Sequence, residues 1–112
     1  MATSRKRRSI TTLLTTVNQD IYVAPPRFES DIVTIFVTNL TSTSAQITLK
    51  MYNAETATTF DILKSVLIPA NGILQISDPL YLLVNDKLQG LASADSTFNV
   101  TITVNEENSR TI

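Results

Sequence analysis

From Phe98 to Val104 the chain reads Phe98-Asn-Val-Thr-Ile-Thr-Val104, apolar at every second position. A period of two predicts a strand with one buried face. Ala45 to Tyr52 alternates as cleanly, which places Ala45, Ile47, Leu49 and Met51 inward and Gln46, Thr48, Lys50 and Tyr52 outward. Asp31 to Asn39 carries Val33, Ile35 and Val37 on one face and Ile32 and Phe36 on the other, the pattern of a central strand covered on both sides. With only Leu40 to Ser44 between them, these two segments are expected to pair as a hairpin.

The rest of the chain follows the same grammar. Phe60 to Ile68 reads as a strand, Ile68-Pro-Ala-Asn-Gly72 as a turn, and Ile73 to Ser77 as a further strand stopped at Asp78-Pro79. Leu80 to Val84 is expected to pair with Lys87 to Ala92 across Asn85-Asp86, residue types that tolerate tight-turn conformations. Ser93 to Thr97 is a loop and Glu106 to Ile112 a polar tail. Towards the N-terminus, Ser9 to Val17 reads as a strand by its β-branched content, and Ile21 to Val23 as a short strand stopped by Pro25-Pro26. Met1 to Arg8 has no periodicity and is expected to be mobile. Eight or nine short, mostly antiparallel strands without a helix predict an all-β fold, a single small β-sandwich rather than a barrel, carrying a flexible basic N-terminal arm. Only two glycines occur, so Asn, Ser, Thr and Pro must supply the turns. Residues 1–20 are assigned to the arm, including a segment that a neighbour could take up as a swapped strand, 21–107 to the sandwich and 108–112 to the tail.

Composition narrows what such a sandwich does. The chain has 112 residues, 43% hydrophobic and 17% charged, enough for one core, and no apolar run nears the roughly 18 residues of a membrane span. No membrane partner is expected. Threonines interrupt the apolar stretch after Arg8, which argues against a signal peptide. Without cysteine there are no disulfides, and without histidine the usual base and the commonest metal ligand are missing. The net charge of −1 is uneven: Arg5, Lys6, Arg7 and Arg8 hold four of the nine cations, leaving five against ten acidic residues, a formal −5 for the body.

Catalytic arrangements are absent from the pattern. Asp61, Asp78, Asp86 and Asp95 are scattered over turns, Lys64 and Ser65 are strand neighbours that face opposite ways, and two isolated glycines cannot cradle a phosphate. Asp86 or Asp95 could contribute oxygen ligands to calcium, a reading weaker than that of solvated turn carboxylates. Asn39-Leu-Thr41 and Asn99-Val-Thr101 match the glycosylation triplet, which a threonine-rich chain produces by chance. The expected protein is not an enzyme and takes no cofactor or metal. Arg5 to Arg8 is the candidate partner-binding element. Four cations on nucleic acid would give a log-affinity slope against log salt of about −3 to −4, but the acidic body and the lack of interleaved aromatics favour a protein partner.

Val37-Thr-Asn39, Thr43-Ser-Ala-Gln-Ile-Thr-Leu49, Ile68-Pro-Ala-Asn-Gly72 with Leu74, Leu80-x-Leu82, Asp86-Lys-Leu88, Ala92-Ser93 and Val100-Thr-Ile-Thr-Val104 resemble, in order and spacing, small β-sandwich virion proteins of tailed bacteriophages. The resemblance spans Ile21 to Glu107. It implies a jelly-roll-like fold and a virion location, as a capsid decoration or cement protein bound to the major capsid protein or other virion proteins, in a homo-oligomer with a trimer favoured. A neck, adaptor or tail component forming a ring or fibre attachment is the alternative; a carbohydrate-binding adhesin is a third reading, set against the lack of tryptophan. Pro25-Pro26-Arg27 departs from the glycine usual near the start of such domains, and the family implies no catalytic residues.

Overall fold

In the computed structural model, which describes residues 5–26 and 28–108 and only the backbone of Arg5 and Asn108, nine strands form and no helix. They are β1 (Arg5–Leu13), β2 (Gln19–Val23), β3 (Phe28–Asn39), β4 (Ala45–Asn53), β5 (Thr58–Ile68), β6 (Ile73–Ile76), β7 (Leu80–Leu82), β8 (Lys87–Ala92) and β9 (Phe98–Asn108). One sheet runs β1-β9-β3-β6, with β7 also paired to β3; the other runs β2-β8-β4-β5. Every pairing is antiparallel. With β6 and β7 counted as one interrupted edge strand, this is the order of an eight-stranded jelly roll.

The strands that alternate most strictly in sequence turn their apolar faces into the core from opposite sheets. Phe98, Val100, Ile102 and Val104 of β9 and Ile47 and Leu49 of β4 are fully buried, with Leu14, Ile32, Val37 and Leu88 between and around them. Gly90 is buried on β8 between its sheet neighbours β2 and β4, where a Cβ would come within 2.9 Å of Ile21 Cδ1 and 3.0 Å of Leu49 Cδ2, so a side chain there would have to push back two core side-chain ends. No glycine takes a positive φ; Ala57, Ser65, Asn71, Asn85 and Ser96 do. The turns are thus made by polar residues and one alanine.

Four expectations need correction. β3 and β4 are not a hairpin: they lie in different sheets, and the hairpin is β4–β5. Likewise β7 pairs with β3, and β8 sits between β2 and β4. A jelly roll sends most of its connections across the sandwich, so sequence neighbours become sheet neighbours only at β4–β5. In β3 a register shift between Ile32 and Thr34 inserts Val33 as an extra residue, which turns Ile32, Ile35, Val37 and Asn39 all inward. Finally, residues 5–8, expected to be mobile, begin β1, whose ladder to β9 starts at Arg5↔Glu107. Met1 to Ser4 and 109–112 lie outside the described residues, as does Arg27. The expected polar tail therefore contributes its first residues to β9.

Candidate partner-binding surface

The connections gather at two ends of the sandwich. At the upper end lie the loops 14–18, 40–44, 69–72 and 93–97, tied together by Leu40 N–H to Thr97 O (2.7 Å), Asn71 N–H to Thr41 O (3.0 Å) and Ser96 N–H to Leu14 O (3.2 Å). Asn39 is 1% exposed beneath them. Its Nδ2 donates to the carbonyls of Thr43 (2.9 Å), Ile68 (3.1 Å) and Pro69 (3.1 Å), and its Oδ1 accepts from Thr41 N–H and Oγ1 (2.9 Å each). This nitrogen is unavailable for glycosylation in the folded chain. Asp95 Oδ1 accepts from Thr16 N–H (2.7 Å) and so pins one loop to another.

At the lower end the period of two continues past Val104 and carries Glu106 inward, where it is 3% exposed. β1 lies antiparallel to β9, with Lys6 directly opposite Glu106 and Arg8 one step along the same face. Arg8 Nη2 reaches Glu106 Oε2 at 3.1 Å. The same oxygen accepts the hydroxyl of Tyr22, which crosses from the other sheet and lies 2.8 Å from Ser30 Oγ. Burial alone would raise the Glu106 pKa, but the hydrogen bonds from Tyr22 and Arg8 and the charges of Arg8 and Lys6 outweigh it and hold the carboxyl below its usual range. Burial and the hydrogen bond to Glu106 push the Tyr22 phenol up to about 12. Arg8 is held charged by Glu106.

Asp86 closes the same end. It is 5% exposed; Oδ1 accepts from Ala54 N–H (2.9 Å) and Oδ2 from Leu83 N–H (3.0 Å), joining the loops 54–57 and 83–86. Ala24 N–H to Asp86 O (2.9 Å) and Asn85 N–H to Ala24 O (3.0 Å) add the chain leaving β2. Both carboxylates considered as calcium ligands are thus used on backbone donors, and no group of three or more acidic residues among the described residues is arranged to hold a metal.

The four cations of the arm do not act alike. Arg8 is spent on Glu106. Arg7 Nε donates to Asn105 Oδ1 (2.7 Å) on the outer face, and Lys6 Nζ lies 5.8 Å from the centre of the Phe28 ring. Lys6 and Arg7 remain exposed on a sheet edge. Beside them, on the outer face of the first sheet, Glu29, Asp31, Tyr81, Asn105 and Glu107 line a shallow cleft of about 260 Å³. At the lower end the exposed Leu83 and Val84 line a second cleft of about 350 Å³ with Ala54 and Glu55, and Val23 is exposed on β2. Of the other exposed apolar side chains, Phe60, Leu67 and Ile73 lie on the strands at the opposite edge, β5 and β6, and Leu13, Val17 and Leu40 lie at or beside the upper-end loops. Of the tyrosines, Tyr22 is buried, Tyr52 lies under Lys87 (5.4 Å), and Tyr81 is 70% exposed. Among the tyrosines that leaves one open ring, a poor sugar platform.

Sequence reasoning missed Glu106 and Tyr22. The parity of β9 carried the signal for the first; nothing local announced the second.

The sequence matches no protein-family model and none of the curated proteins. Three solved structures share the fold. A chain from the Bacillus endospore appendages, described as a novel family of disulfide-linked pili, aligns with a TM-score of 0.57 at 9% identity, over 97% of this chain and 89% of that one. A chain from the virus-like particle of the extra small virus of the giant freshwater prawn Macrobrachium rosenbergii aligns at 0.54 and 12%, over 99% and 82%. One from the acid-stable capsid of the Helicobacter pylori bacteriophage KHP30 aligns at 0.54 and 5%, over 99% and 97%. At these identities the likeness is one of fold: the chain is built end to end like subunits drawn from two viral particles and a pilus.

Proposed function

We propose that the chain is a non-enzymatic structural protein of a phage virion, which decorates or cements the capsid by binding neighbouring capsid subunits. The observation that carries this reading is the alignment of nearly the whole chain with capsid-derived jelly rolls. The site chemistry agrees with it, because the buried polar side chains are consumed in tying loops and strands together, and what remains for a partner is surface: a basic edge, an anionic cleft and exposed apolar side chains. Lys6 and Arg7, with Arg5, form the protein-binding edge, and the homo-oligomer is a trimer on the capsid lattice.

A variant with Arg5→Ser, Lys6→Ser and Arg7→Ser keeps Arg8 and its bond to Glu106. Its occupancy on purified capsids should fall by about tenfold at low salt, the order expected of three exposed charges. Unchanged occupancy removes the arm from the interface, and absence of the protein from purified particles ends the virion reading. The pilus neighbour favours a second reading, a ring or fibre attachment at the neck or tail; particle images separate that placement from the capsid lattice.

A further inference from the structure

None of the side chains described on β1 is buried: Lys6, Arg7, Arg8, Ser9, Thr11 and Leu13 are exposed, Ile10 and Thr12 half-buried. The strand it covers is the opposite case, since Phe98, Val100, Ile102, Val104 and Glu106 of β9 are 0–3% exposed. What holds β1 is the backbone ladder of nine residue pairs, four side-chain contacts, Arg8 to Glu106, Arg7 to Asn105, Thr11 Oγ1 to Thr101 Oγ1 (3.0 Å) and Lys6 Nζ over the Phe28 ring (5.8 Å), and the half-buried Ile10 against the core. Leu14, at 0% exposure, follows as the one fully buried apolar hook. The ladder and the three hydrogen-bonded contacts all have their partners on β9, and any copy of the chain presents them identically.

The segment that joins β1 to the rest, Thr15, Thr16, Val17 and Asn18, is exposed throughout. Its ties are short-range bonds between Thr15 and Gln19 and three single bonds to other parts of the chain, Thr16 N–H to Asp95 Oδ1, Ala92 N–H to Thr15 O (2.9 Å) and Asn18 Nδ2 to Gln89 Oε1 (3.3 Å). An element with a polar seat, one hook and an exposed hinge costs little to move to an equivalent seat on a neighbour.

We infer that residues 5–14 are an exchangeable strand whose second seat is the β9 edge of another copy of this chain, and that the Arg8–Glu106–Tyr22 contact is the latch between the two states. Four hinge residues reach at most about 14 Å, so exchanging copies must sit side by side along their β1–β9 edges. The groups facing Glu106 are Lys6 and Arg8 from β1, Tyr22 from β2 and the Ser30 hydroxyl from β3. Protonating Glu106 removes the charge that β1 supplies two cations to meet, so acid opens the latch. The inference deepens the assembly role proposed above and rests on it for its purpose, while the exchange itself belongs to this chain alone.

The native chain has no cysteine, which makes the test direct. Chains carrying Thr11→Cys and chains carrying Thr101→Cys are mixed at neutral pH, some after a brief passage through pH 3, well below the usual carboxyl range, and oxidised without denaturant. The expected result is a heterodisulfide in clear excess over the two homodisulfides, its share rising several-fold after the acid passage and in chains that also carry Glu106→Gln, or Tyr22→Phe should Glu106→Gln not fold. Random proportions of the three products, or homodisulfides alone, overturn the inference; a heterodisulfide whose share ignores acid and both variants overturns the latch. A parallel mixture of Thr34→Cys and Thr103→Cys chains, placed on the central β3–β9 pair, must stay unlinked, since cross-links there would mean whole-chain refolding. Capsid binding by the same proteins keeps the two ideas apart: exchange without binding leaves the strand and removes the virion role, binding without exchange does the reverse.

Discussion

The two ends of the sandwich solve one problem with different chemistry. Each must close a core from which backbone polar groups emerge, and in each a buried polar side chain on an inward position of the first sheet gathers bonds, Asn39 on β3 and Glu106 on β9, the latter with Ser30 and Asp86 also buried at its end. Asn39 carries both donors and acceptors, so it serves three carbonyls and a threonine from its own end without any charge. Glu106 only accepts, and its donors must be brought from elsewhere: Tyr22 from the facing sheet and Arg8 from the edge strand. A neutral hub is indifferent to pH. A charged one ties the fold to solution conditions and makes the basic N-terminal edge part of the structural lock.

The comparison breaks first at Asn39. Replacing it with alanine strands three buried or part-buried carbonyls and a backbone donor, and should cost about 3 kcal/mol of unfolding free energy in urea, the same from pH 5 to 9. A cost that varies strongly with pH would mean the upper end is not electrostatically silent. Glu106→Gln should cost less, about 2 kcal/mol at pH 7, because Arg8 is half-exposed and returns to water when its partner is lost.

The pH profile sharpens the contrast. Glu106 titrates lower in the folded chain than in the unfolded one, so its contribution is present above the unfolded carboxyl value of about 4.3 and is lost as pH falls through the folded value. Tyr22 is raised to about 12, so its contribution is present below the unfolded phenol value of about 10 and is lost as pH rises through about 12. Thermal unfolding across pH should therefore show an acid limb that Glu106→Gln flattens and an alkaline limb that Tyr22→Phe flattens, at a cost for the latter of about 1 kcal/mol near neutrality. An acid limb unchanged in Glu106→Gln would move the titrating group to another carboxylate.

What could be seen in the sequence divides along the same line. Strand existence was legible because burial on one face forces a period of two, and β4 and β9 keep that period without interruption. The sandwich class followed from the number and spacing of such runs, while its jelly-roll form entered only through the resemblance to phage virion sandwiches. Sheet partners were not legible: whether β3 pairs with β4 or crosses to the other sheet depends on which surfaces meet, and the five-residue loop from Leu40 to Ser44 permits either. The phase of β3 was hidden by Val33, because a bulge is a single extra residue with no composition of its own. Glu106 was legible and overlooked, since the alternation from Phe98 runs straight through it, whereas its partners Tyr22 and Arg8 meet it only by folding and were announced by nothing near them in the chain.

The smallest expected effect separates the ends by backbone strain. Each end has residues in the left-handed region, Asn71 (φ 58°) and Ser96 (φ 60°) above, Ala57 (φ 53°) and Asn85 (φ 67°) below. Asparagine tolerates this conformation through its own polar side chain; alanine has no such compensation and pays the clash of its Cβ with the backbone. Ala57 is exposed in the loop between β4 and β5, so a glycine there removes the clash and deletes no buried contact. Ala57→Gly should accordingly stabilise the chain by up to about 1 kcal/mol, reduced by the greater freedom of glycine in the unfolded state, while Asn71→Gly should change stability by less. Equal gains at both positions would show that the asparagine side chain offers no relief, and that the lower end stores no more strain than the upper.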